Sequence, residues 1–202
     1  MARYTGPKVK RARAFGEAIT AKDAKILQKR NYGPGQHGQG KGRVSEYGTQ
    51  LKEKQKAKWT YGILERQFRK YFKEASKKKG ITGDALLQLL ESRLDNIVYR
   101  LGFAETRAQA RQIVSHGFMT VNGKKVNIPS YRTKVGDIIA IAENKRKSKY
   151  IEQLKAKLKN VKTQEWVSTN EDQLSGKVLS VPTPEQIENR INTQLIVELY
   201  SR

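Results

Sequence analysis

Residues 91–141 read ESRLDNIVYRLGFAETRAQARQIVSHGFMTVNGKKVNIPSYRTKVGDIIAI, and the fold is decided there. Leu94, Ile97, Val98 and Leu101 recur at helical spacing and Gly102 interrupts them, which predicts a short helix. Thr106 then opens a second helix, with Gln109 three residues on as the reciprocal half of a capping box. Ala110, Ile113 and Val114 supply its buried stripe. The pattern next changes to alternation around Asn122-Gly123, a pair that favours a two-residue hairpin turn. Arg107 and Arg111 stand one helical turn apart, where like charges repel by roughly 0.2–0.5 kcal/mol. A polyanion laid over that face would relieve the repulsion; the competing reading is a solvated helix face.

Outward from this stretch, charge is the dominant feature. The 202 residues carry 41 Lys and Arg against 19 Asp and Glu, a formal net charge of +22. Residues 1–80 hold 22 basic and 6 acidic side chains, residues 81–150 hold 12 and 6, and residues 151–202 hold 7 of each. So steep a gradient implies a polyanion-facing front and an ordinary globular rear. A membrane partner would need a long apolar run or a basic helix with a wide apolar face, and neither is evident, so no membrane partner is expected. The opening MARYTGPKVKRARAFG has no signal-peptide core, and with no cysteine in the chain disulfides and thiolate metal sites are excluded. A soluble intracellular nucleic-acid binder is the economical expectation.

Residues 1–45 are basic, glycine-rich and poor in apolar side chains, so they are expected to order on a partner rather than fold alone. From Glu46 the pattern is helical, with Leu51, Gln55 and Trp59 on one face and Lys52 and Lys56 on another. Ile63, Leu64, Phe68, Tyr71 and Phe72 then form an amphipathic stripe flanked by Arg66, Arg69, Lys70 and Lys73. At that spacing the aromatics fit a core better than a base-stacking platform. A helix from Asp84 to Leu90 leads into the 91–141 stretch. Beyond it come a helix with Ile151, Leu154 and Leu158 on one face and an antiparallel pair around Trp166-Val167 and Val178–Val181. A last helix, about Thr193 to Tyr200, is expected to dock on another helix of the chain.

The residues Arg93, Leu94, Asp95, Arg100, Gly102, Thr106, Arg107, Ala110, Arg111, Val121, Asn122, Gly123 and Lys124 follow the pattern of the S-four type RNA-binding domain without a break. The stretch closely resembles that domain. The domain implies RNA binding but no single function, since tyrosyl-tRNA synthetase and pseudouridine synthases also carry it.

Chemistry is hard to find elsewhere. Gly35-Gln36-His37-Gly38-Gln39-Gly40-Lys41-Gly42 approaches a phosphate-binding P-loop, yet Gly42 replaces the magnesium-holding hydroxyl and no apolar strand precedes it. His37 and His116 are the only histidines, without partners for a metal site or a triad. His116 suits the negative end of the second helix. The Arg93-Leu94-Asp95 tripeptide resembles the one around a pseudouridine synthase's catalytic aspartate, but no room remains for a catalytic domain. No enzyme activity, cofactor or metal is expected.

Further segments narrow the resemblance. Pro34–Gln39, Leu51–Lys56, Tyr61–Phe68 and Gln194–Ser201, with the opening Ala2-Arg3-Tyr4, resemble the bacterial small-subunit ribosomal protein S-four family over essentially the whole chain. Some members bind a metal through four N-terminal cysteines; this chain has none. The resemblance implies a cytoplasmic protein of the small ribosomal subunit, or of an organellar one. It implies direct binding of ribosomal RNA, early nucleation of the subunit body, and a share in decoding accuracy. It also implies contacts with the neighbouring protein numbered five and with mRNA where it enters. The expected architecture is α+β: a basic extension (1–45), a helical domain (46–90 with 181–202), and an inserted RNA-binding domain with its following helix and strands (91–180). The expected RNA-binding side chains are Arg93, Arg100, Arg107, Arg111, Lys124, Lys125 and Arg132 on the inserted domain. Arg3, Lys8, Arg11, Arg13, Lys41, Arg43, Lys52, Lys56, Arg66 and Arg69 join them from the N-terminal half. The rival readings are an RNA-modifying enzyme that captures substrate through this domain and a free RNA chaperone.

Overall fold

The computed structural model describes residues 4–40, 42–158, 163–170, 172–187 and 191–202, so Arg3 and Lys41 lie outside the described residues. The fold is α+β and divides into two compact units, residues 1–74 with 189–202 and residues 75–188.

The first unit is helical. Ser45 caps α3 (Glu46–Thr60), its hydroxyl accepting from the Gly48 N–H at 3.1 Å. In α4 (Glu65–Ala75) the buried stripe is Phe68, Tyr71 and Phe72, so the aromatics are core, while Leu64 just ahead of the helix is exposed. The C-terminal helix α9 (Thr193–Ser201) packs along α3. Gln50 donates to Glu198 across that contact at 3.1 Å, and Glu53 accepts from the Asn192 backbone N–H at 3.1 Å. Tyr200 of α9 stacks on Phe72 with ring centroids 4.4 Å apart.

Residues 1–45 carry two short helices that composition did not reveal, α1 (Lys8–Phe15) and α2 (Ala21–Lys29). Thr20 and Asp23 form a reciprocal capping box for α2. The two helices bury little beyond Ala12, Phe15 and Asp23, and α1 leans on α3. Their stability therefore depends on what they rest against, since isolated helices this short are marginal in water.

The second unit begins with α5 (Thr82–Glu91), whose Ala85, Leu86, Leu87, Leu89 and Leu90 are all buried. Helix α5 falls in the sheet-bearing unit of residues 75–188. Helices α6 (Leu94–Arg100) and α7 (Arg107–Ser115) pack on each other, and Gly102 follows the end of α6. Thr106 accepts from the Gln109 N–H at 3.2 Å, as a capping residue should. The reciprocal bond is displaced by one residue: the Gln109 side chain accepts from the Glu105 N–H at 2.9 Å rather than from Thr106.

Asn122 and Gly123, at φ 49° and 78°, make the tight turn between β1 (Met119–Val121) and β2 (Lys124–Lys125). Positive φ at both central positions matches the twist of the flanking strands, which is why this dipeptide forecast the hairpin. The strand β3 (Ile138–Ile141) returns beside β1. The later pair, β4 (Val167–Asn170) and β5 (Ser175–Val178), forms in the register Val167↔Val178. Pairing of β3 with β5 fuses the two hairpins into one antiparallel sheet of order β2-β1-β3-β5-β4. A Cβ at Gly176 would stand 2.4 Å from a methyl of Leu101 and 2.9 Å from the Ser168 carbonyl oxygen, so β5 packs too closely on Leu101 and β4 to carry a side chain there. Leu94, Ile97, Val98, Leu101, Val114, Met119, Ile139 and Trp166 fill the core, closed by Ile151, Leu154 and Leu158 of α8 (Lys149–Leu158).

Candidate nucleic-acid interface

The arginines of the second unit do not stand free. Arg93 directly precedes α6 and is buried, with 2% of its side chain exposed. Its Nε and Nη2 donate to the two carboxylate oxygens of Asp95 at 3.0 and 2.6 Å, a bidentate fork. Arg100 makes the same fork with Glu91, Nε at 3.0 Å and Nη2 at 2.8 Å, and the Glu91 side chain is 0% exposed. Asn96 donates through Nδ2 to Glu91 and accepts through Oδ1 from Arg107 Nε at 2.8 Å. Arg107 lies over the Tyr99 ring, 4.5 Å from its centroid, with Nη2 3.9 Å from Glu91. One turn on, Arg111 Nη1 stands 3.5 Å from Asp95.

The turn-spaced arginines of α7 are therefore balanced from within by carboxylates on neighbouring segments. Their proximity does not require a polyanion above them, and their side chains, 17% and 12% exposed, are not a solvated face. Helical spacing within α7 could not reveal this, because Glu91 ends α5 and Asp95 sits in α6. The Arg-Leu-Asp tripeptide had named Asp95 without giving it a role; Glu91 and Asn96 carried no signal of their own.

The remaining candidates of this unit lie at its surface. Lys124 and Lys125 are exposed on β2, an edge strand, where charge also discourages further strand pairing. Arg132 is exposed and bridges to Arg93 through the backbone. His116 is exposed at the end of α7.

In the first unit the candidates divide. Arg66 and Arg69 are exposed on the outer side of α4, and with Lys70 they have no ion pair among the described residues. Lys8, Arg43 and Lys52 are exposed as well. Lys56 is buried, paired with Glu17 at 2.8 Å and near Glu53 at 3.6 Å, so the pattern that grouped it with Lys52 does not hold in space. Arg13 donates to the carbonyls of Tyr32 and Gly33 at 3.1 and 2.9 Å, tying α1 to the glycine-rich turn. Arg11 lies over the rings of Tyr4 and Trp59, 4.8 and 3.9 Å from their centroids, and the two rings meet edge to face. The glycine-rich loop follows a turn rather than a strand, and no helix opens until Glu46, so it lacks the setting of a P-loop.

A second charged cluster was missed altogether. Glu65 accepts from Lys54 at 2.9 Å, Lys58 at 3.0 Å and the Tyr200 hydroxyl at 3.0 Å, joining α3, α4 and α9. Burial pushes the Glu65 carboxyl up, but the hydrogen bonds from Lys54, Lys58 and Tyr200 outweigh it and hold the group below the usual glutamate range. Burial, then the Glu65 charge, raises the Tyr200 hydroxyl well above the usual tyrosine value.

Among the described residues no three His, Cys, Asp or Glu side chains gather as a metal site, and no helix is long and apolar enough to cross a membrane. In sequence comparison, residues 3–91 match the family described as "Ribosomal protein S4/S9 N-terminal domain" and residues 92–139 match the S4 domain. The chain is 56% identical to the small ribosomal subunit protein uS4 of Parabacteroides distasonis over the full length of both. It is 55% identical to that of Christiangramia forsetii and 53% identical to that of Chloroflexus aurantiacus, again with full coverage.

Proposed function

We infer that this chain, which belongs to the family of the small ribosomal subunit protein uS4 and is thereby a structural constituent of that subunit rather than an enzyme, binds its ribosomal RNA directly. The observation that carries this reading is the outward row Arg66, Arg69 and Lys70 on α4, exposed and without acidic partners among the described residues. Three cations on one short face without acidic partners among the described residues are hydrated in the free chain and attract a polyanion strongly. Folded RNA offers phosphates and 2′-hydroxyls rather than readable base edges, so recognition is by shape and charge placement.

In this reading Lys8, Arg43, Lys52, Arg66 and Arg69 meet phosphates from the first unit, and Arg107, Arg111, Lys124, Lys125 and Arg132 from the second. Arg93 and Arg100 act from beneath the surface. The protein joins the RNA early, nucleates the subunit body in the cytoplasm, and lies beside the protein numbered five where mRNA enters, with an influence on decoding accuracy. These finer roles rest on family membership.

Purified chain titrated with small-subunit ribosomal RNA and with a polyuridine of comparable length tests the reading. Preference for the ribosomal RNA, with a steep loss of affinity as salt rises, is the expected result. Equal affinity for both RNAs would overturn direct, shape-specific binding and favour a general RNA chaperone.

A further inference from the structure

We propose that Glu91 and Asp95 are positioning residues, buried carboxylates that hold the Arg107 and Arg111 guanidiniums in a fixed orientation for RNA phosphates. The proposal rests on the RNA-binding reading above.

The observation behind it is a repeated arrangement. Each carboxylate is gripped in a bidentate fork by one buried arginine, Glu91 by Arg100 and Asp95 by Arg93. Each also faces one arginine of α7, Glu91 toward Arg107 at 3.9 Å and Asp95 toward Arg111 at 3.5 Å. The α7 guanidiniums are thereby held in place while each shares its carboxylate with a second, buried arginine.

Stability alone is a poor reason for such a pattern. Buried ion pairs roughly break even against apolar side chains of the same volume, because both ions lose their hydration. Two such sets side by side under one helix do what apolar side chains cannot. They place two planar forks one turn apart, with Arg107 further fixed by the Asn96 carbonyl and the Tyr99 ring. A preorganised guanidinium loses less freedom when it meets a phosphate, and its geometry discriminates among phosphate arrangements.

The discriminating experiment uses the full chain with Glu91→Gln, titrated with small-subunit ribosomal RNA and with polyuridine while thermal unfolding is followed in parallel. Removing a negative charge should strengthen nonspecific attraction to any RNA, so polyuridine affinity should hold or rise. Affinity for the ribosomal RNA should fall about tenfold in the folded variant, the scale of coupling within one side-chain network. A folded Glu91→Gln chain that binds ribosomal RNA as well as wild type, or better, overturns the proposal. Should that variant not fold, Arg107→Lys decides, since it keeps the charge and loses the fork. A several-fold loss on ribosomal RNA alone is then expected, and wild-type affinity would sink the idea. Wild-type chain showing no preference for ribosomal RNA would instead overturn the RNA-binding reading, and this inference with it.

Discussion

The outer faces of α4 and α7 are both basic, yet they are built on opposite terms. On α4, Arg66, Arg69 and Lys70 project from a helix whose other side is Phe68, Tyr71 and Phe72, and no carboxylate answers them among the described residues. On α7, Arg107 and Arg111 are held from below by Glu91 and Asp95. A sequence count treats the two alike. Physically the first is loose charge, which gives affinity that salt screens, and the second is fixed charge, which gives geometry.

The most severe way to break the contrast is to remove a buried arginine. Arg100→Ala leaves the Glu91 carboxylate inside the unit without its fork. A buried charge deprived of its partner typically costs about 3–5 kcal/mol. Denaturant titration of the full chain should show the unit of residues 75–188 losing stability on that scale. A loss below about 1 kcal/mol would show that Asn96 and Arg107 hold Glu91 unaided. By contrast, changing Arg66, Arg69 and Lys70 together to alanine should leave unfolding almost unchanged, because their side chains reach into solvent. RNA affinity should fall and its log–log salt slope should flatten by roughly 2–3, at about 0.7–0.9 for each phosphate that the helix no longer neutralises. An unchanged slope would remove α4 from the RNA-facing surface.

How legible each face was follows from the same difference. The α4 stripe was readable because its aromatics and cations alternate at helical period within one segment. The α6–α7 pair and the Asn122-Gly123 hairpin are legible from patterns just as local, whereas the second strand of the later pair is Ser175–Val178 rather than the expected Val178–Val181. What escaped was nonlocal. Nothing local in the sequence pairs Lys54 and Lys58 with Glu65, or Lys56 with Glu17. The burial of Arg93 against Asp95 and of Arg100 against Glu91 is likewise absent from the helical pattern. The union of two hairpins through β3 and β5, and the close approach of Gly176 to Leu101, join residues far apart in sequence. The capping box displaced onto Glu105 shows that even a local motif settles its final bond only in three dimensions.

The mildest test of the contrast lies at Glu65, where the first unit has a charged cluster of its own. Here the lysines are buried but the carboxylate is 45% exposed, whereas in the second unit both members of each fork are buried. Because the folded state holds the Glu65 carboxyl below its ordinary range, the unfolded chain binds its proton more readily. The stabilisation from this group is therefore complete above the ordinary glutamate range and is lost as pH falls through the lowered value. Solvent around the half-exposed carboxylate screens the pairs, so the effect is small. Glu65→Gln should lower the stability of the helical unit slightly at neutral pH and flatten a modest part of its acid limb, so that variant and wild type converge as pH falls through the lowered value. The measurement is denaturant stability across an acid pH series, with Tyr200→Phe as the companion variant that removes one of the three hydrogen bonds. An acid limb identical to that of wild type would place the pH sensitivity of this unit elsewhere. The exposed carboxylate would then be held by its lysines in geometry only, unlike its buried counterparts.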